Sequence, residues 1–377
     1  MDRRSFILAA GAAGALASLP ARAAAQPAVP PARAAGARSF YVDMLGAMDG
    51  FEEKNGKFVP TRKLIDAIRE RRVDLVSTTI GNVGNGPDRF QAGAEAVAMW
   101  DGMIAEHPTL LAKVESVAGI RAARAAGKLG ILYNFQDTTA LEGEAGRVAT
   151  FANLGVRILQ LTYNTRNLAG DGCLERSNAG LSDFGREVIA KINENRVLLD
   201  LSHAGQRTIA EGIAAAKAPP AITHSGCRAL VDFPRNTPDT EMKALADKGG
   251  VFGIYLMPFL RPKGQARAED LLRHLDHAVN VCGEDHVGLG TDNPLFGYVI
   301  DDAARKQQRE FFEERSKRGI AAPGEGADIF NLVEGYNDIA RYDRIAADLK
   351  RRGWSQARVD KVLGDNWIRL LGEVWGA

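Results

Sequence analysis

Cysteine is scarce in this chain of 377 residues: Cys173, Cys227 and Cys282 stand far apart and none forms a C-x-x-C pair. That excludes a disulfide framework and a thiolate zinc site, and leaves room for at most one disulfide; buried free thiols are the expected state. Charge of either sign is not in excess, 48 Lys and Arg against 47 Asp and Glu, so the chain lacks the basic surplus that nucleic-acid binding draws on. Beyond the N-terminus no apolar run is long enough to span a bilayer. A glycine-rich phosphate turn is missing as well: the first β-rich run continues as YVDMLGAMDG, which argues against an open dinucleotide-binding sheet. Histidine is equally rare, with six in all, so where they fall carries information.

What is present begins with MDRRSFILAAGAAGALASLPARAAAQ, in which Arg3-Arg4 precedes a run of small apolar residues and Ala23-Ala24-Ala25. Residues 1–25 read as a twin-arginine signal peptide, which implies the twin-arginine export machinery as a partner and a periplasmic location. Residues 26–38, QPAVPPARAAGAR, read as a flexible leader. From 39 to 377, a hydrophobic content of 45% suits one large globular domain. Eight short β-rich runs punctuate it: SFYVDML, VDLVSTTI, LGILYNF, VRILQLTYN, RVLLDLSH, PPAITHS, GGVFGIYLM and HVGLGTD. Amphipathic segments at 61–72, 88–126, 140–153, 184–195, 207–217, 239–248 and 268–282 separate them, the pattern of a covered parallel sheet. Eight such units predict a closed (β/α)₈ TIM barrel with C-terminal helices. The polar, glycine-bearing stretch 295–330 is expected to be a lid or an insertion. The tail predicts two amphipathic helices, with Gly353 before the second and Gly364 inside it.

In such a barrel the C-terminal strand ends converge on one mouth. The runs end in Asp43, Thr78-Thr79, Asn134 and Gln136, Tyr163-Asn164, Asp200 with Ser202-His203, Thr223-His224-Ser225, Tyr255, and Asp292-Asn293. So many polar groups closing apolar strands would be costly without mutual hydrogen bonds or a ligand. His203 and His224 end the fifth and sixth runs, so their imidazoles can share one cation. Asp292 could add a carboxylate from the eighth, a set that suits Zn²⁺ and equally Fe²⁺. His107, His274, His277 and His286 fall on helices, loops or the far end of a strand and receive no role.

The blocks LGVRILQLTYNTRN, GLSDFGREVIAKIN, VLLDLSHAG, AITHSGCRAL, FPRNTPD, HVGLGTDN and LGDNWIRLL, in that order over about 130–377, resemble the renal or membrane dipeptidase family of metallopeptidases. That resemblance implies an amidohydrolase-type barrel that hydrolyses dipeptides, often with a D-residue second, using two zinc ions bridged by a carboxylate and a hydroxide; members often pair as homodimers. It assigns His203 and His224 to the second zinc. It gives Asp292 to the first zinc and to the catalytic proton. Arg235 would grip the substrate's terminal carboxylate in a two-bonded fork, with Asn236 beside it. The family's first-strand His-x-Asp pair falls here on Leu45 and Ala47, its bridging glutamate on Gln136, and its carbonyl-polarising histidine on Tyr163. Neutral Gln136 cannot offset two dications about 3.5–4 Å apart. The expectation is therefore one ion on His203 and His224, helped by Gln136 or Asp292. Asp292 would act as general base and acid, and Tyr163 would bind substrate and donate to a developing oxyanion.

The function these readings imply is an exported metal-dependent hydrolase of membrane dipeptidase type, cleaving a dipeptide or related small amide, with Zn²⁺ as its single ion. Two alternatives use the same mouth: a periplasmic maturation or oxidation enzyme of siderophore type, with Fe²⁺, or a binding protein without catalysis. Elemental content and oxygen dependence separate the first alternative; ligand binding indifferent to chelation separates the second.

Overall fold

Each of the eight apolar runs forms a parallel strand. A computed structural model describes residues 39–376 apart from 71, 85 and 318–320, so the export signal and leader expected over 1–38 lie outside the described residues. The strands are β1 Val42–Asp43, β2 Leu75–Thr79, β3 Leu129–Phe135, β4 Val156–Gln160, β5 Leu198–Asp200, β6 Ala221–Ser225, β7 Val251–Ile254 and β8 Val287–Leu289. Each pairs in parallel with the next. The ring is completed between β8 and β1 by backbone bonds, Met44 N to Leu289 O at 3.1 Å and Asp292 N to Leu45 O at 2.7 Å. A short parallel pairing of Asn293–Pro294 with Gly46–Ala47 extends this seam. The architecture is the (β/α)₈ barrel that the run count predicts.

Side-chain alternation along a strand sends neighbours to opposite faces, and here both faces are buried. Leu132 of β3 joins Val42, Met44, Leu75, Ile158, Leu198, Ala221 and Val251 in the inner cluster, while Ile131, Tyr133 and Phe135 join the outer cluster against the helices. Asn134 shares the inner parity of Leu132 and sits at the mouth, with its amide on Ser77 and Thr79 of β2.

The helix expected over 88–126 is two helices, Arg89–Glu106 and Val117–Ala125, with an added strand Leu111–Lys113 paired to β3. His107-Pro108 is the cause. The residue before a proline is driven out of the helical region, and His107 takes φ −126°, ψ 50°. Ser116 then caps the second helix by accepting from Gly119 N at 3.0 Å.

The tail also departs from two continuous helices. Arg341–Arg351 is followed by Gln356–Asp360, one π-turn over Lys361–Asp365, and the last helix Asn366–Trp375. A Cβ on Gly364 would lie 2.1 Å from Phe40 O, so this glycine lets the turn press against the strand-1 entry. The last helix closes the barrel floor. Trp367, fully buried, joins the inner cluster and donates from Nε1 to Leu289 O at 3.1 Å.

Replacing Trp367 with Ala is expected to destabilise the fold by about 3–5 kcal/mol. Gly288→Ala, whose Cβ would meet Trp367 Nε1 at 2.2 Å, is expected to lower the urea midpoint as well. Denaturation followed by circular dichroism checks both; a midpoint unchanged in Trp367→Ala would remove the floor from this account.

Candidate active site

The mouth is built where strand ends depart from regular geometry. The register of β6 slips between Ile222 and Ser225, an irregularity of the kind that re-aims a side chain. It pushes Thr223 O so close to β7 and β8 that a Cβ on Gly253 or Gly290 would meet it at 1.9 or 2.2 Å. His203 follows β5 in the left-handed region at φ 61°, and Asp292 follows β8 at φ 55°. Non-glycine residues held there cost energy and cluster at functional sites.

These distortions bring the two histidines face to face. His203 Nε2 and His224 Nε2 are 2.9 Å apart, with ring centroids 4.9 Å apart at 61°. Both rings are buried. Burial, and after it the charge of Arg235, holds both well below the ordinary imidazole range, so both are neutral. His203 Nδ1 lies 2.6 Å from Asn164 Oδ1. A carbonyl oxygen only accepts, so Nδ1 carries the proton and Nε2 presents its lone pair. His224 Nδ1 is held by Thr223 Oγ1 at 2.8 Å. Two neutral imidazoles with their outer nitrogens engaged and their inner nitrogens converging fit a bound cation. Tyr163 covers the pair, stacked on His203 at 4.2 Å and 24°.

A third ligand of the expected kind is not assembled. Among the described residues no three His, Cys, Asp or Glu side chains lie together so as to hold an ion, so Asp292 does not complete a triad with the histidines. Asp292 occupies a desolvated niche. Burial pushes its carboxyl up to about 7, Arg235 and Arg315 pull it down, and Asp43 adds to the rise. Gln136 is oriented through its Nε2, which donates to Thr79 Oγ1 at 2.7 Å, and Thr79 donates to Asn134 Oδ1 at 3.1 Å. Leu45 is buried, and the Leu45 and Ala47 carbonyls serve the β8–β1 seam. Neither nearby aspartate replaces the missing ligands. Asp43 accepts from Thr291 N, Thr291 Oγ1 and Tyr342 OH, each at 2.7 Å, and Asp49 accepts from Phe296 N at 3.3 Å.

Arg235 is no surface residue. It is 4% exposed, donates from Nη2 to His224 O at 2.9 Å and lies 5.3 Å from the Tyr255 ring centroid. Asn236 is fully committed: its amide donates to Val231 O and Phe259 O at 2.8 and 3.0 Å, and its carbonyl accepts from Tyr255 OH. It fixes the loop that carries Arg235 and has no hydrogen left for a substrate. The three cysteines are free thiols.

Sequence reasoning missed two contributors. Arg315, on the helix Asp302–Lys317, forks onto Glu325 with two bonds of 2.8 Å. Its charge is felt at Asp292, Tyr163 and His203; nothing in a polar stretch distinguishes this arginine from its neighbours. His274 read as an ordinary helical residue. It accepts from Cys227 N on Nδ1 at 2.9 Å and donates to Leu260 O at 3.1 Å, tying the loops after β6 and β7 together. His107, His277 and His286 bond Phe58 O, Asp239 and Gly250 O respectively, away from the mouth.

A (β/α)₈ barrel with converging imidazoles, a half-buried aspartate and a buried arginine at its mouth has the architecture of an amidohydrolase-type hydrolase. The family model for membrane dipeptidase (peptidase family M19) matches residues 62–314 and 315–376, and the chain belongs to that family of metallopeptidases. It is 33% identical to an amidohydrolase from Pseudomonas aeruginosa, with TM-score 0.75 over 90% of this chain and 97% of the other. A metallopeptidase from Rhodobacter sphaeroides, solved with a phosphinate mimic of L-Ala-D-Ala, shares the fold at 18% identity and TM-score 0.66, over 88% of this chain and 100% of that one. Dipeptidase tcpJ of Claviceps purpurea is 28% identical over 66% of this chain, which spans about half, 52%, of that relative's length.

The buried His274 makes a pH prediction. Burial holds its folded-state value down at about 4 against an ordinary 6.5, with both nitrogens used by the neutral ring. The unfolded chain therefore takes up a proton first as pH falls. Its stabilising share is intact above pH 6.5 and is lost down to about pH 4, on the order of 3 kcal/mol. His274→Phe is expected to be less stable at pH 7.5 but to lose less between pH 6.5 and 4, as read from urea midpoints. Parallel pH profiles for the two proteins would contradict this.

Proposed function

We propose that this protein is an exported dipeptidase that cleaves a dipeptide or related small amide with one metal ion, zinc, rather than two. The observation that carries the reading is the convergence of His203 Nε2 and His224 Nε2 at 2.9 Å with Nδ1 of each ring engaged. A divalent ion held there would supply the Lewis acidity that acidifies a water at neutral pH. The remaining work belongs to the chain's own residues. Arg235, buried and already anchored to His224 O, receives the terminal carboxylate of the substrate. Asp292, titrating at about 7, takes and returns the proton. Tyr163, whose phenol burial pushes up to about 12, stays protonated and donates to the oxygen on which charge develops. Arg3-Arg4 at the N-terminus supports export by the twin-arginine route, and a periplasmic dipeptide is then the substrate within reach.

The test is elemental analysis of protein purified from the periplasm, together with hydrolysis of a dipeptide panel that includes L-Ala-D-Ala. About one zinc per chain is expected, lost in the His203→Ala, His224→Ala double variant. Arg235→Leu is expected to lose about 2–5 kcal/mol in kcat/KM, mainly through KM. A metal-free, inactive protein would end this reading. Iron with oxygen-dependent turnover would point to oxidation chemistry, and tight peptide binding indifferent to chelation to a binding role.

A further inference from the structure

The tautomer of His203 follows from a carbonyl oxygen, but that of His224 does not. Its Nδ1 faces a hydroxyl, Thr223 Oγ1, at 2.8 Å, and a hydroxyl can donate or accept. The decision lies one bond further out. Thr223 Oγ1 is 2.6 Å from Asp200 Oδ2 and 3.3 Å from Ser202 Oγ. The Asp200 carboxylate, buried at the end of β5, is used asymmetrically. Oδ1 accepts from Ser202 N at 2.9 Å, Ser202 Oγ at 2.7 Å and Thr223 N at 3.0 Å, while among the described residues Oδ2 accepts from the Thr223 hydroxyl alone. Ser202 Oγ in turn accepts from His224 N at 3.2 Å, so Asp200 and His224 are cross-tied twice.

We propose that Asp200 is a positioning residue that, through Thr223, fixes His224 with its proton on Nδ1 and so aims the Nε2 lone pair at the point it shares with His203. Burial pushes the Asp200 carboxyl up, and the four hydrogen bonds donated to it by Ser202 and Thr223 oppose that rise; as the carboxylate it draws the hydroxyl proton of Thr223 toward Oδ2. The Thr223 oxygen is then left to accept, and only a protonated Nδ1 can satisfy it. Nε2 of His224 is therefore bare, as Nε2 of His203 is. The two Nε2 atoms stand at hydrogen-bond distance, 2.9 Å; with a proton on neither, no hydrogen bond joins them, and both lone pairs would be available to a cation. This inference rests on the metal reading above.

The asymmetry of the carboxylate makes the test specific. In Asp200→Asn the amide oxygen takes the three-donor position of Oδ1, and the amide nitrogen faces Thr223. The Thr223 hydroxyl then accepts from that amide nitrogen, and its own proton turns to His224 Nδ1. The histidine proton moves to Nε2, where it blocks the metal. Zinc affinity, measured on metal-stripped full-length protein by competition with a chromophoric chelator, is expected to fall about 10–100-fold. Thr223→Val removes the acceptor without misdirecting a proton and is expected to lose less. Adding Thr223→Val to Asp200→Asn is expected to recover affinity, a coupling that general loosening would not give. Ser202→Ala weakens the support of the same carboxylate without redirecting any proton and is expected to stay within about 3-fold of wild type.

Nitrogen NMR of ¹⁵N-histidine-labelled apo protein reads the tautomer directly. The Nε2 resonance of His224 is expected to move from the unprotonated to the protonated range in Asp200→Asn, with His203 unchanged. Wild-type affinity and an unmoved Nε2 in that variant would overturn the proposal, as would an equal loss in Thr223→Val. Failure of the wild-type protein to bind zinc at all would instead overturn the metal reading, and the NMR comparison, made without metal, would still decide the tautomer.

Discussion

Two buried imidazole nitrogens pointed at one another are the constraint around which this barrel mouth is arranged. Left to themselves, neutral rings in a dry site would rotate so that one donated to the other. Here the outer nitrogens are fixed, by Asn164 on one side and Thr223 on the other, so the inner ones have little freedom. The cost is visible in the backbone: a slipped register on β6, a left-handed His203, and two glycines pressed against Thr223 O. Distortions of that kind persist only where the surrounding structure over-determines them. The floor provides this rigidity, since Trp367 and the inner cluster fix the strands from below.

The same barrel bears on the single ion we propose. Asp43, the carboxylate nearest the first-strand end, is spent on Thr291 and Tyr342. It welds β1 to β8 where the ring would otherwise be held by few backbone bonds. The residues that would flank it as ligands in the family, Leu45 and Ala47, contribute carbonyls to the same seam. Beside it, at the ends of β2 and β3, Gln136, Thr79, Asn134 and Ser77 form a neutral hydrogen-bonded chain. The first-strand end is thus structural, and the metal chemistry we propose rests on β5 and β6.

Much of this was legible in the sequence because it depends on local pattern. Short β-rich runs of seven to nine residues separated by amphipathic stretches specify strands and helices, and eight of them specify the barrel. The break at His107-Pro108 was readable in principle from the proline; the long amphipathic period masked it. Histidines closing adjacent runs were readable as partners because parallel neighbours place their ends together. What was not legible depends on bonds between distant residues. Asn236 adjoins Arg235 and reads as part of a substrate grip, yet Val231 and Phe259 take both its amide hydrogens and Tyr255 donates to its carbonyl. Arg315 arrives from a surface helix with no buried residue. Asp292 was placed correctly at the eighth strand end, but whether it reaches the histidines is a matter of ångströms that spacing does not encode.

Charge explains why these changes occur together. Two dications 4 Å apart repel by about 16 kcal/mol at an effective dielectric of about 20, and a bridging carboxylate is the usual remedy. With glutamine at 136 that remedy is gone, and retaining the first-strand ligands alone would gather a second ion that nothing neutralises. Two guanidinium groups, Arg235 and Arg315, already bear on Asp292 and raise the positive potential of the mouth further. Under that field the single ion we propose between two neutral imidazoles is one that the remaining negative charge, Asp292 and an incoming substrate carboxylate, would balance. The loss of the bridge, the loss of the first-strand ligands and the retention of the histidine pair are then one electrostatic adjustment rather than three independent changes.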